Sequence, residues 1–97
     1  MAILTDTYSV TNSAPLAVAI PVPNAGPNDP TPFYVQNIDT VNSVWLGGAD
    51  VASSGENLGI VLLAGSALAF SLFGSDTLYA ISTQAGGVNV VVMQGRQ

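Results

Sequence analysis

The sequence predicts an all-β fold, a single antiparallel β-sandwich of the jelly-roll-like kind with about seven or eight short strands. Glycines recur at intervals of 8 to 12 residues through the second half of the chain, at Gly47, Gly55, Gly65, Gly74, Gly86 and Gly95. Runs rich in Val, Ile, Leu, Phe and Tyr separate them, and these residues fit a pleated, half-buried surface. Short strands punctuated by turns at this spacing are typical of sandwiches and barrels, and no segment has convincing helical periodicity.

Eight segments are candidate strands. Residues 57–75 carry no charged side chain, a length of about one membrane-spanning helix. However, Leu68, Phe70 and Leu72 alternate with small residues at the strand period, so we predict strands there. In chain order the expected strands are residues 7–10, 17–22, 33–37, 44–46, 60–63, 67–73, 77–83 and 88–93.

Two of the predicted strands are apolar on both faces. In the last strand Val90 and Val92 point one way, while Val91 and Met93 point the other way. Residues 78–81 have the same property. An antiparallel sheet with one solvated face would carry polar residues on that face. Each of these strands is therefore either central in the sandwich or part of a subunit interface, and the sequence favours neither explanation.

A proline-rich segment separates two parts of the chain. We expect residues 1–32 to hold N-terminal strands and a Pro-rich arm or loop, and residues 33–97 to form a compact β-domain. Proline fixes φ and removes a ladder donor, so we expect that residues 21–32 cannot be a central strand. It is either a stiff connection or a pre-ordered arm that docks on a neighbour at low entropic cost, which makes residues 1–32 a candidate docking segment.

The side-chain inventory excludes most chemistry. The 97 residues contain no His or Cys, one positively charged residue (Arg96) and six acidic residues, for a formal net charge of −5. General base catalysis calls on His, Lys or a carboxylate with a shifted pKa, so we expect no enzyme and no catalytic residue. Zinc needs Cys or His, and no acidic loop motif for calcium is present, so we expect no metal and no cofactor. Nucleic acids and anionic membranes attract Lys and Arg, and neither is an expected partner.

The low charge predicts a chain that hides part of its surface against copies of itself or a larger assembly. Charged residues make up 7% of the sequence, against about 25% in an ordinary soluble domain. Trp45 lies in a predicted strand, so we expect it in the core or in a subunit interface rather than on a ligand platform. The candidate interface residues are Pro21, Pro23, Pro27, Pro30, Phe33, Trp45, Phe73 and Tyr79.

The segment from Phe33 onward resembles small virion proteins of tailed bacteriophages. In such proteins a hydrophobic-aromatic-Leu-Gly turn, a later Gly and a Leu-Tyr-Ala strand recur in one compact β-domain. The resemblance covers about two thirds of the chain. It rests on Val44-Trp45-Leu46-Gly47-Gly48, Val51, Gly55, Leu63-Ala64-Gly65, Phe70-Ser71-Leu72, Asp76-Thr77-Leu78-Tyr79-Ala80-Ile81 and Val90-Val91-Val92.

The resemblance implies a structural part of the particle: a capsid decoration (cement) protein, a head fibre or a tail-fibre module, commonly a homotrimer. We therefore expect a virion protein, made in the host cytoplasm, that coats the head through oligomeric interface burial. Its expected partner is the major capsid protein. Two alternatives stay open, a tail-fibre or host-surface module that binds carbohydrate and an adaptor at the head–tail joint.

Overall fold

The computed structural model describes residues 2–20, 30–73 and 76–96, and within them the chain forms eight β-strands and no helix. The predicted all-β class and strand number are confirmed. The strands are β1 (Ala2–Val10), β2 (Leu16–Ala19), β3 (Pro30–Asn37), β4 (Val44–Gly47), β5 (Ile60–Leu62), β6 (Ala67–Phe73), β7 (Leu78–Ile81) and β8 (Val88–Arg96).

The strands form two four-stranded antiparallel sheets. Sheet I has the order β1-β8-β3-β6, and sheet II has the order β2-β7-β4-β5. Strand β1 pairs with β8, β2 with β7, β3 with β6 and β4 with β5, so the chain runs as one long hairpin folded over on itself. The pairs β3–β8 and β4–β7 then complete the two sheets. This arrangement is a jelly roll, and the predicted architecture is confirmed.

Alternating side chains fill the space between the two sheets. In β3 every second residue from Thr31 to Asn37 is buried, and the residues between them are exposed. The ring of Phe33 stacks on that of Phe70, with centroids 5.5 Å apart. Valine dominates the rest of the core, as expected for strands buried on one face. The other core residues include Val10, Val18, Val35, Val44, Leu46, Leu62, Ala80, Val88, Val90 and Val92.

The first and last strands of the chain are longer than predicted. Strands β1 and β8 pair continuously from Ala2 opposite Arg96 to Val10 opposite Val88. Gly95, predicted as a turn, lies inside β8 opposite Ile3, and a Cβ at this position would come within 2.9 Å of Pro32 Cγ. Glycine in a strand often marks such a close approach. Gly47 likewise ends β4 instead of forming a turn, while Gly65 has the positive φ of 78° that a turn residue needs.

One buried polar side chain fixes the loop between β3 and β4. Asn37 is fully buried. Its Nδ2 donates to the carbonyl oxygens of Asn42 at 2.9 Å and Leu62 at 3.1 Å, and its Oδ1 accepts from the Asp39 N–H at 3.0 Å. Buried amides are normally satisfied in this way. Asn37 therefore connects sheet I to β5 of sheet II.

The N-terminal part of the chain is built into the sandwich. Of residues 1–32, β1 belongs to sheet I, β2 belongs to sheet II, and Val10 and Val18 are core residues. A boundary between Pro32 and Phe33 falls inside β3, which lies between β8 and β6 in sheet I. The prediction that the Pro-rich segment is not part of a central strand is therefore wrong for residues 30–32. These residues are tolerated because the pairing of β3 with β8 starts only at Phe33. Within the expected docking segment, residues 21–29 lie outside the described residues.

Candidate interaction surfaces

The charged side chains that the structure describes lie in loops and on one edge strand. Because successive strands alternate in direction, the connections after β2, β4 and β6 meet at one end of the sandwich. That end carries Asp50, Glu56 and Asp76, which are all exposed. The opposite end carries Asp39, and Asp6 is exposed on β1. Negative charge is therefore concentrated at one end of the molecule.

Asp39 has a structural role in its loop. Its Oδ2 accepts from the N–H groups of Asn42 at 2.6 Å and Val41 at 2.9 Å. The hydrogen bond from Asn42, followed by that from Val41, holds the pKa of the Asp39 carboxyl below its ordinary value. Hydrogen bonds to the charged form stabilise a carboxylate in this way. The carboxylate is thus used to hold the loop.

The outer face of sheet I carries no charge among its described side chains. It consists of every second residue in 5–9 of β1, 32–36 of β3, 67–73 of β6 and 89–95 of β8. At its centre Tyr34 lies between Met93 and Ala69, with exposed fractions of 42% for Tyr34 and 38% for Met93. An exposed aromatic and a methionine at the centre of a sheet face are typical of a contact surface.

The outer face of sheet II is apolar at its centre. Trp45 lies between Ile81 and Val61, and Tyr79 lies opposite Gly47. Trp45 and Tyr79 are half-buried, and Val61 is exposed. No charged residue occupies these five positions. The indole and phenol rings form a second uncharged surface on the opposite side of the molecule from Tyr34.

Strand positions explain why two segments are apolar on both faces. Strand β8 is central in sheet I and β7 is central in sheet II. Val90 and Val92 are buried in the core, whereas Met93 is exposed and Val91 half-buried on the outer face. Central position therefore accounts for one face of β8, and the other face is uncharged surface that also includes the exposed Asn89. In β7, Ala80 is buried and Leu78 packs against the core, whereas Tyr79 and Ile81 are half-buried on the outer face.

The candidate interface residues lie in different parts of the structure. Trp45 and Tyr79 are on the outer face of sheet II, Phe73 is 46% exposed at the end of β6, and Pro30 is exposed at the start of β3. The prediction of Phe33 as an interface residue is corrected, because its side chain is 4% exposed and its ring stacks on Phe70 within the core. The remaining candidates, Pro21, Pro23 and Pro27, lie outside the described residues.

Several surface residues were missed by the sequence prediction. Tyr34 and Met93 define the centre of the sheet I outer face, and Ile60 is 71% exposed at the start of β5. Alternation along the strand is the sequence signal for Tyr34, because Tyr34 directly follows Phe33 and must point to the opposite face of the sheet. Alternation separates the two faces of a strand, but it does not say which face meets the core.

Two further findings concern chemistry and membranes. In residues 2–20, 30–73 and 76–96, no group of three or more His, Cys, Asp and Glu is placed to hold a metal ion. No helix long and apolar enough to cross a membrane occurs in these same ranges.

Comparison with known proteins identifies a fold neighbour. No protein-family model matches the sequence, and no curated protein is significantly similar to it. The structure is similar to a chain from the solved structure reported as "Bacillus endospore appendages form a novel family of disulfide-linked pili", with a TM-score of 0.51 and 16% sequence identity. The match covers 96% of this chain and 83% of that chain. At this identity the likeness concerns the fold.

Proposed function

We propose that this chain is a structural subunit of a tailed-bacteriophage virion that decorates the capsid surface and associates with copies of itself. The observation that carries the proposal is the uncharged outer face of each sheet, represented by Tyr34 and Met93 on one side and Trp45 on the other. A subunit that acts by burying surface can use uncharged outer faces and needs no titrating group. The phage head, the major capsid protein as partner and the homotrimeric form come from the resemblance of residues 33–97.

The dimensions of the domain support a role in interface burial. The principal-axis extents are 35 × 27 × 17 Å, so the molecule is flat. A face of 35 by 27 Å has an area of about 900 Å², close to the roughly 800 Å² that each partner contributes to a standard interface. One broad face is thus large enough for a stable contact.

The charge distribution supports the same role. Asp50, Glu56 and Asp76 lie in the loops at one end, away from both outer faces. Subunits that meet through their broad faces would leave these carboxylates in solvent, so that association carries no penalty for desolvating them. A formal charge of −5 per chain would also keep coated particles from clumping.

The fold neighbour supports assembly only at the level of architecture. That structure is reported for appendages that form disulfide-linked pili, so a chain of similar fold belongs to a protein that assembles. The present sequence contains no cysteine. Assembly of this chain would therefore depend on non-covalent burial of its outer faces.

Immunogold labelling tests the position of the chain on a particle. Antibodies raised against the folded chain would be applied to purified particles of a tailed phage that encodes it. The proposal predicts label distributed over the head. Label on the fibres would favour the carbohydrate-binding alternative, label at the neck would favour the adaptor, and particles without label would contradict a virion role.

A further inference from the structure

The four edge strands of the sandwich differ in how readily they can pair with another chain. An edge strand presents unpaired N–H and C=O groups, and proteins usually blunt it with charge, shortness or a bulge. Strand β1 carries the exposed Asp6, β2 has a register shift between Ala17 and Ala19, and β5 has three residues. Strand β6, by contrast, has seven residues, with no charge and no proline, and pairs with β3 without a register shift.

The hydrogen-bond pattern shows which backbone groups of β6 face the open edge. The Asn37 N–H donates to the Ser66 carbonyl at 2.9 Å, so Asn37 is oriented toward β6. Hydrogen-bonded pairs alternate along an antiparallel ladder. Positions 35, 33 and 31 of β3 therefore bond to positions 68, 70 and 72 of β6. The N–H and C=O groups of the remaining β6 residues point outward, at Ala67, Ala69, Ser71 and Phe73.

We propose that β6 pairs with β6 of a second copy, antiparallel, about a two-fold axis at Phe70. In this register Ala67 lies opposite Phe73 of the other copy, and Ala69 lies opposite its Ser71. All four outward-facing residues then form hydrogen-bonded pairs. The two copies of sheet I become one continuous eight-stranded sheet, an isologous contact that closes on itself.

The side chains of β6 are complementary to themselves in this register. On the inward-facing side, Leu68 meets Leu72 of the other copy and Phe70 meets its own equivalent. Leu68 is 37% exposed, and Phe70 and Leu72 are half-buried, so pairing covers apolar surface that the single chain leaves open. On the outer side the small Ala67 faces Phe73.

The absence of charge selects an identical copy as the partner. A row of charged residues would repel its own equivalent across a two-fold axis, and β6 has none between Ala67 and Phe73. The same absence leaves no charged group with which to recognise a partner of opposite charge. The apolar residues of a second β6 therefore match this edge on both of its faces.

The β6 pairing rests on the self-association in the proposed function and assigns it one specific contact, but it does not depend on a capsid. It uses the edge of sheet I, whereas stacking of subunits would use the outer faces. A trimer built through the faces would still present three β6 edges, and the two-fold pairing would join trimers to one another.

Cysteine cross-linking tests the pairing and its register. The chain has no native cysteine, so Ala69→Cys and Ser71→Cys introduce single thiols at exposed positions. Residues directly opposite in a hydrogen-bonded pair have Cα atoms about 5.5 Å apart, within the range for a disulfide. Equivalent residues of the two copies, such as 69 and 69, lie on a diagonal at about 7–8 Å, which is too far. An equimolar mixture of the two variants is therefore expected to oxidise to a covalent dimer.

The expected result is at least about tenfold more covalent dimer in the mixture than in either variant alone, read on a non-reducing gel. The matched control is Gln36→Cys mixed with Ala69→Cys, since Gln36 is exposed on the same outer face but on the central strand β3. Thermal unfolding of each variant verifies that the fold is retained. Strong cross-linking of Ala69→Cys alone would overturn the register, and an unreactive mixture, or a mixture no better than the control, would overturn the pairing.

The outcomes separate this inference from the proposed function. Particles labelled on the head, together with a mixture that does not cross-link, would keep the virion role and reject β6 pairing. A mixture that cross-links, together with unlabelled particles, would keep the pairing and reject the virion role.

Discussion

Replacement of Asn37 by alanine should cost a large share of the stability of the domain. The substitution removes two hydrogen bonds donated by Nδ2 and one accepted by Oδ1, all at a position that is fully buried. Each bond contributes about 1 kcal/mol net, and the buried Leu62 carbonyl loses a partner at a further cost of about 1–2 kcal/mol. We expect Asn37→Ala to lower the free energy of unfolding by about 4–5 kcal/mol, from a total of about 5–15 kcal/mol.

Chemical denaturation followed by tryptophan fluorescence measures this loss, because Trp45 is the single tryptophan of the chain. In a thermal melt the same loss corresponds to a decrease in Tm of at least about 12 °C. The matched control is Asn89→Ala, an exposed asparagine in β8, which should change stability by less than about 0.5 kcal/mol. A cost below about 1 kcal/mol for Asn37→Ala would refute the claim that its amide connects the sheets.

Three further predictions concern the outer face of sheet I, the loop that contains Asp39, and the turn at Gly65. Met93→Lys places a charge at the centre of the sheet I outer face. It should change the free energy of unfolding by less than about 0.5 kcal/mol but weaken self-association at least about tenfold, measured by sedimentation over a dilution series. An unchanged association constant would show that this face is free in the oligomer. The pKa of Asp39 is lowered in the folded state by the hydrogen bonds from Asn42 and Val41, so its stabilisation is present above the ordinary carboxyl value of 3.8 and is lost as the pH falls through the folded value. Asp39→Asn should flatten this part of the dependence of stability on pH, and an identical dependence for both proteins would contradict the role of its hydrogen bonds. Gly65 has a φ of 78°, so Gly65→Ala should lower the free energy of unfolding by about 1–2 kcal/mol, measured by denaturant titration. The control is Gly86→Ala, which has no atom near its Cβ position and should cost less than half of this. Equal costs would contradict the argument from φ.

The alternation of large apolar and small residues was sufficient to predict the strands in which this pattern is clear. Strand β6 has the predicted bounds of 67–73, because the alternating run lies between Gly65-Ser66 and Gly74 in the sequence. Strand β1 begins at Ala2 instead of residue 7, and β8 ends at Arg96 instead of residue 93. Their extra length comes from pairing with each other across the whole chain. Such long-range pairing leaves no mark in a local window.

The location of the aromatic side chains could be predicted only in part. Phe33 and Tyr34 are adjacent aromatics on opposite faces of β3, and the strand period does not say which one enters the core. The structure assigns Phe33 to the core, against Phe70, and Tyr34 to the surface. This assignment depends on the position of β6 beside β3, which is a matter of topology. Trp45, expected in the core or in an interface, is half-buried on an outer face.

The central claim is that the chain associates with itself through uncharged surface, and its absolute mass in solution tests this claim most directly. Light scattering or native mass spectrometry over a range of concentrations would be measured on the full 97-residue chain. The account predicts a stable species at a multiple of the 9.8 kDa chain mass, with a trimer as the form that the phage resemblance implies. A species of 9.8 kDa at every concentration would contradict it, because both outer faces and the β6 edge would then be stable in water on their own.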